Sequence, residues 1–319
     1  MTTLADPAAL ECSSASAASA SATSASALDA RRPMMGGEVA IWSTGATREA
    51  LHGVLDRIAA WAARLTRFDP MSELMRCNAD PAVRVPIGPT LTAVLDWARA
   101  ADSLTDGFVN ITLLDARLAA EAGQSTRPPG AASRRWSLAR GPRRSFAVRE
   151  PGVRFDLDGV AKGWLADRAL AITPGLGALV DADGDVAVRL GPGVSWGIGI
   201  ADPRENGALL GALQFVGEEG SRRLGVATSG TTVHRWTHAN GDAHHLIDPH
   251  TLRPAVTDIV QATVVAGSAR EAEAIAKAAV IAGARRAFDF VDRRGVVGIL
   301  VLTERGEVRA SAGLVPWLA

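Results

Sequence analysis

Lysine is nearly missing from this chain. Of its 34 basic residues only Lys162 and Lys277 are lysines and all the others are arginines. Cysteine is equally scarce: Cys12 and Cys77 form no CxxC pair and no metal-ligand spacing, which excludes a disulfide framework and suits a reducing, cytoplasmic setting. Net charge is absent, with 34 basic residues balanced by 34 acidic ones. That balance leaves no electrostatic footprint for nucleic acid or an anionic membrane. No apolar run is long enough to span a bilayer, so membrane insertion is not expected. With 319 residues, 47% of them hydrophobic, one large or two smaller domains with ample core fit, and a small molecule or a protein partner is the expected ligand.

Residues 13–29 are almost wholly serine and alanine. They lack the basic start and apolar segment of an export signal, and residues 1–31 read as a disordered tail. The glutamate before Cys12 argues against a lipid-anchored cysteine.

The stretch Phe155-Asp-Leu-Asp-Gly-Val-Ala-Lys-Gly-Trp164 organises the rest. Its first half alternates like a strand, and from Val160 to Ile172 the apolar spacing becomes helical. A strand handing over to a helix N-terminus at Gly159–Gly163 can bind phosphate through exposed N–H groups, and the glycines let a ligand approach the main chain. Lys162 is a compact point charge where an arginine would be a planar fork, and so is a ligand candidate.

Along the chain, Glu38–Trp42 reads as a first strand, and Thr47–Thr66 as a helix with Leu51, Val54, Leu55, Ile58, Trp61, Ala62 and Leu65 on one buried face. Ser72 is a cap for a short helix. Pro89–Asp102 forms a second long helix, Thr105-Asp-Gly107 a turn, and a further helix runs to Glu121. Residues 123–145, rich in Pro, Gly and Arg, read as a surface excursion. Ala178–Leu190 is strand-like but broken by Asp181-Ala-Asp-Gly-Asp185. That run lacks the closing glutamate of a calcium loop, so a tight turn beside the ligand is expected. Trp196–Ala201, Gly211–Val216 and Val226–Gly230 are further strands. At the C-terminal end Gln261–Ala266 is a strand, and Ser268 with Glu271 forms a capping box opening a helix to Ile281. Glu273 and Lys277 share a face of that helix among small apolar neighbours, an unusual setting for a solvated pair.

Five of the six histidines fall between His234 and His250. Asn240-Gly241 signals a hairpin that would pair Trp236 with His245 and Thr237 with His244, with the two adjacent histidines on opposite faces. His234 and His238 lie roughly 13 Å apart along a strand, so one zinc ion cannot collect them. The hairpin either delivers His245 to a cleft or packs it, satisfied, on Trp236. The residues alone do not choose.

Taken together, several ordered motifs resemble the ApbE family of FAD:protein FMN transferases. They are Met35-Gly36, Ser72-Glu-x-x-Arg-x-Asn78, Thr105-Asp-Gly107, Asp156-Leu-x-Gly-x-Ala-Lys-Gly163, Gly184-Asp-Val186, Ala227-Thr-Ser-Gly230 and His244-His-x-Ile-Asp-Pro249. The likeness runs from Met35 to Trp317. It implies an α/β (mixed α+β) fold over residues 32–319, with two interlocked subdomains and FAD in the cleft between them. It also implies transfer of FMN from FAD to a threonine or serine hydroxyl of an acceptor flavoprotein or FMN-binding domain, with release of AMP. By the same resemblance Met35, Phe68, Phe108, Val109, Asn110, Asp156, Lys162 and Ile247 would contact the cofactor. His245 would be the base, with His244 as the other candidate.

Two departures stand out. The family's Phe-Asp-Pro-Thr appears here as Val109-Asn-Ile-Thr112. The resemblance also implies a Mg²⁺ ion held by the Gly159 carbonyl and by Asp and Thr side chains at the positions of Glu273 and Lys277. Glutamate can bind Mg²⁺, but a protonated lysine cannot. Either Lys277 replaces the metal charge, paired with Glu273 and aimed at the pyrophosphate, or transfer is lost and the protein only holds FAD.

Overall fold

Eight strands follow one another across a single antiparallel sheet in chain order. They are Ala27–Met34, Gly37–Thr44, Ala178–Ala182, Asp185–Leu190, Arg222–Gly230, Ile259–Ala266, Val296–Thr303 and Val308–Ala310. The computed structural model describes residues 18–22, 27–124, 135–239, 241–293 and 295–319. Strand side chains alternate between two faces. Val39, Ile41, Val180 and Ala187 point to one side, and Ala40, Trp42, Leu179, Val186 and Val188 to the other.

The second face is covered by a three-stranded sheet of Ala18–Ala22, Ser195–Ala201 and Leu209–Val216. Its Trp196, Ile198, Ile200, Leu213 and Phe215 are fully buried against the large sheet. The first face carries helices Arg48–Leu65, Lys162–Ile172 and Ala269–Ala282. Thr47 caps the first of these through its hydroxyl; of the expected face, Leu51, Val54, Leu55, Ile58 and Leu65 are buried, while Trp61 and Ala62 are only partly buried against the core. A further layer lies beyond them: helices Glu73–Ala79, Pro89–Leu104 and Leu114–Glu121, and a three-stranded sheet of Arg84–Ile87, Ser145–Arg149 and Trp136–Arg140.

The helix Ala269–Ala282 is the spine between the layers. Its alanines at 272, 274, 276, 278 and 279 are all inaccessible to solvent, and small side chains let neighbours approach on every side. Gly225 of the large sheet lies so close that a Cβ there would stand 2.1 Å from the Ala269 nitrogen. Ser268 caps the helix and bonds Glu271, as the capping box predicts. Asp167, on the neighbouring helix, accepts the N–H groups of Ala269 and Arg270 at 3.0 and 3.2 Å. These bonds fix where Glu273 and Lys277 emerge.

Four expectations need correction. The tail does not extend to residue 31, because Ala27–Met34 pairs along its whole length with Gly37–Thr44 and Ala18–Ala22 pairs with Ser195–Ala201; Cys12 and most of the tail lie outside the described residues. The 123–145 excursion contains a strand, Trp136–Arg140, whose Trp136 packs edge-on to Phe155; residues 125–134 are outside the described set. Residues 153–157, read as a strand, form no strand and join no sheet. The histidine hairpin is shifted by two residues, pairing Trp236 with Ala243 and Arg235 with His244. Among the described residues no helix is long and apolar enough to cross a membrane.

Candidate active site

A recess opens where the layers meet, and four separate parts of the chain supply its walls. The turn before helix Leu114–Glu121 gives Phe108, Val109, Asn110, Ile111 and Leu113, with Arg117 from the helix itself. The stretch before helix Lys162–Ile172 gives Asp156, Asp158 and Val160, the hairpin exit gives His245 and Ile247, and the spine gives Lys277 and Ile281. Apolar walls with a few convergent polar groups are the usual composition of a small-molecule site.

His245 is the one histidine among the residues that line this recess. Its Nδ1 lies 3.1 Å from the Val233 carbonyl. A carbonyl only accepts, so Nδ1 carries the hydrogen and Nε2 keeps a free lone pair. Burial holds the imidazole pKa well below its ordinary value, and the charges of Lys277 and Arg117 add to that against the opposing pull of Asp158. The ring is therefore a neutral base at neutral pH. His244 differs: its Nδ1 accepts the Leu246 N–H at 3.3 Å and its Nε2 donates to the Ala255 carbonyl at 3.1 Å. Both nitrogens are engaged, so His244 has no lone pair for catalysis.

Two carboxylates sit opposite. Asp158 pairs with Arg117, and although burial opposes its ionisation, Arg117 and Lys277 hold its pKa well below the ordinary value. Asp156 lies 3.7 Å from Arg117. Burial raises its pKa despite that cation, and the Asp158 charge adds to the rise. Arg117 is 4% exposed and also holds Glu121 at 3.1 Å, which Arg67 grips from the other side. Burial would lower the Arg117 pKa, but Asp158 and Asp156 outweigh it and raise it.

The two glycines expected to admit a ligand instead admit the spine helix. A Cβ on Gly159 (φ +106) would lie 2.1 Å from Lys277 Nζ, and one on Gly163 would lie 2.6 Å from the Ala269 carbonyl oxygen. The Gly163 N–H, exposed for phosphate on sequence grounds, is taken by Glu273 Oε2 at 3.0 Å. Glu273 is 3% exposed, and burial, with Asp185 next, keeps its pKa well above the ordinary value. Lys162 is not among the lining residues. Its ammonium donates to the Asp183 carbonyl at 3.2 Å and stands 3.5 Å from Asp185 and 3.7 Å from Asp183. Burial would lower its pKa, yet Asp185 and Asp183 overcome that and raise it. The acidic run is thus the expected tight turn, closed by Asp183 and Gly184 in left-handed conformations and by the Gly184 N–H on Asp181 at 2.7 Å.

The cofactor expectations divide accordingly. Phe108, Val109, Asn110, Asp156 and Ile247 do line the recess. Phe68 is 79% exposed with the Arg67 guanidinium over its ring, and Met35 sits in the turn Met35–Gly36 packed on the helix-side core; neither reaches the recess. Asn110 spends its side-chain oxygen on the N–H and hydroxyl of Thr112, at 2.9 and 2.8 Å, shaping the wall. Arg117 and Asp158 went unassigned in the sequence, although Asp158 lies inside the organising stretch. The one available signal was Arg117 four residues before Glu121, which reads as an ordinary helix pair.

The expected metal positions do not fit a divalent cation. Lys277 donates its ammonium to the Asp158 carbonyl and lies against Gly159. Glu273 faces Gly163 with one oxygen, and its other, Oε1, is buried without a hydrogen-bond partner. Among the described residues no group of three or more His, Cys, Asp and Glu side chains converges as a metal site. Mg²⁺ needs about six oxygens in near-octahedral array, and an ammonium occupies that space.

The family model described as the ApbE family matches residues 35–300. The chain belongs to the ApbE family. The FAD:protein FMN transferase of Treponema pallidum (strain Nichols) is 30% identical over 179 residues, 52% of this chain and 48% of that protein. That of Escherichia coli (strain K12) is 27% identical over 162 residues, 49% and 44% of the two chains. The match thus spans about half the length of these curated relatives. Among solved structures, the ApbE protein of Thermotoga maritima superposes with a TM-score of 0.77 at 23% identity, covering 92% of this chain and 99% of that one. The flavinyl transferase ApbE of Pseudomonas stutzeri, in its apo form, gives 0.74 at 18% identity, covering 91% and 96%. These likenesses establish the ApbE fold, mixed helices and antiparallel sheets, for this chain.

Proposed function

We propose that this ApbE-family chain is an FAD:protein FMN transferase with the recess as its active site. The observation that carries the reading is His245, a half-buried neutral imidazole with Nε2 free, in a recess also lined by Arg117 and Lys277. In the proposed reaction an acceptor hydroxyl attacks the FMN phosphorus of FAD. The new O–P bond forms, the bridging P–O bond breaks, AMP leaves, and His245 Nε2 takes the hydroxyl proton. Phe108, Val109, Ile247 and Ile281 provide apolar contact for the flavin dinucleotide. Asp156 and Asn110 supply polar contacts beside it. Lys162 acts indirectly in this reading, clamping the Asp183–Asp185 turn under the helix that presents Gly159.

The partners are FAD and an acceptor flavoprotein or FMN-binding domain. The test is intact-mass spectrometry of a candidate acceptor domain incubated with the protein and FAD. A mass gain of one FMN, lost when the acceptor threonine or serine is replaced by alanine, is expected. Tight FAD binding with no mass gain on two different acceptors would replace this reading with an FAD-holding role.

A further inference from the structure

Two cations reach the recess from elements on opposite sides of it. Arg117 comes from helix Leu114–Glu121 and Lys277 from the spine Ala269–Ala282, and both line the recess. Asp158 lies between them: its carboxylate pairs with Arg117, and its main-chain carbonyl accepts the Lys277 ammonium. The arginine side chain is only 5% exposed and is held additionally by Glu121, whereas the Asp158 side chain keeps 32% of its surface exposed. The cations are fixed by packing, and the carboxylate can turn to water.

We propose that Arg117 and Lys277 form a built-in pair of cations that grips the diphosphate of a dinucleotide without a divalent metal, and that Asp158 is the resident counter-ion the diphosphate displaces. The identity of the dinucleotide as FAD rests on the transferase reading. The pair itself rests on geometry. Two like charges fixed in a partly desolvated recess repel each other and need an anion between them. Asp158 supplies one. A diphosphate brings more negative charge and several oxygens, matching a guanidinium fork on one side and a point-like ammonium on the other. The Lys277 ammonium, seated against Gly159 where a Cβ would lie 2.1 Å away, leaves no room for the oxygen shell of Mg²⁺.

Binding of FAD, ADP and riboflavin would be titrated with a chelator and with Mg²⁺, for the wild type and for Lys277→Met, Arg117→Met and Asp158→Asn, with a thermal melt of each variant. The wild type is expected to bind FAD and ADP within about twofold under both conditions. Lys277→Met and Arg117→Met should each weaken FAD and ADP by about tenfold while riboflavin binding is unchanged. Asp158→Asn, which removes the competing charge, should tighten ADP binding by about fivefold. A loss of more than about tenfold in wild-type ADP affinity on chelation would overturn the proposal. So would weaker ADP binding by a folded Asp158→Asn protein. Acceptor flavinylation run in parallel separates this inference from the reading it rests on. FMN transfer that requires Mg²⁺ keeps the transferase and removes the cation pair. Metal-free ADP binding with no transfer keeps the pair and removes the transferase.

Discussion

At the scale of single residues, burial and the neighbouring charges together decide what each titratable group does. His245 is pushed below its ordinary pKa by burial first and by the cations of the recess second, so it stays deprotonated through the neutral range. FMN transfer should therefore be flat in pH through the neutral range and fall only on the acid side of the ordinary imidazole range, the sign expected of a base whose pKa is depressed. His245→Gln should lower the transfer rate by roughly 10²- to 10⁴-fold while leaving FAD affinity within about threefold, measured by single turnover and by titration. A parallel loss of FAD affinity would make His245 a binding residue instead. Asp181 shows the opposite shift: burial raises its pKa to about 7, with Asp185 and Asp183 adding to it. A carboxyl whose folded pKa is raised binds more protons folded than unfolded between about pH 4 and pH 7, so its share of stability is present in acid and lost as pH rises through 7. Asp181→Asn keeps an acceptor for the Gly184 N–H and removes the buried charge. It should raise stability at pH 8 by up to about 4 kcal/mol and leave stability at pH 4 unchanged, read from urea melts at the two pH values.

At the scale of elements, the junction of helices Lys162–Ile172 and Ala269–Ala282 sets the site. Gly163 is the contact point, and a methyl group there would stand 2.6 Å from the Ala269 carbonyl oxygen and 2.7 Å from its carbon. Those are backbone atoms held by the Ser268 and Asp167 caps, so they cannot turn aside. Gly163→Ala should destabilise the fold by about 1–3 kcal/mol and displace Glu273 from the Gly163 N–H, lowering FAD affinity along with the melting temperature. Full affinity in a folded variant would show that the helix junction does not position the recess. Helix positions, caps and the capping box were legible in the sequence because 3.6-residue periodicity and cap chemistry are local. The hairpin register was not: Asn240-Gly241 is a strong local signal, yet His238 pairs with Gly241, and His238 Nε2 is tied to the Ala120 carbonyl at 3.1 Å. A long-range contact accompanies the register that turn preference alone does not give.

At the scale of the whole molecule, the large sheet runs from an N-terminal edge strand, Ala27–Met34, to a C-terminal one, Val308–Ala310. A protein beginning at Met35 would expose the Gly37–Thr44 strand as a new edge with Trp42 and Ile41 beside it. It should melt at least about 5 °C lower and aggregate more readily than one beginning at Ala27, by calorimetry and light scattering. Equal melting temperatures would show that the edge strand is dispensable.

The sequence by itself determined the family, the long helices and the residues His245, Asp156, Phe108 and Ile247 that line the recess, because these follow from short-range pattern and motif. It also singled out Lys277, since lysine in an arginine-rich chain and an apolar helix face is visible without coordinates. Only the tertiary structure decided that Gly159 and Gly163 make room for a helix rather than a ligand, that Lys162 serves a turn, and that Arg117 and Asp158 belong to the site. Those assignments depend on which groups lie next to one another across 41 residues for Arg117 and Asp158 and 110 for Gly163 and Glu273. Local propensity carries no information about such distances, and the burial and charge pairs that shift the groups of the recess exist only once the layers have packed.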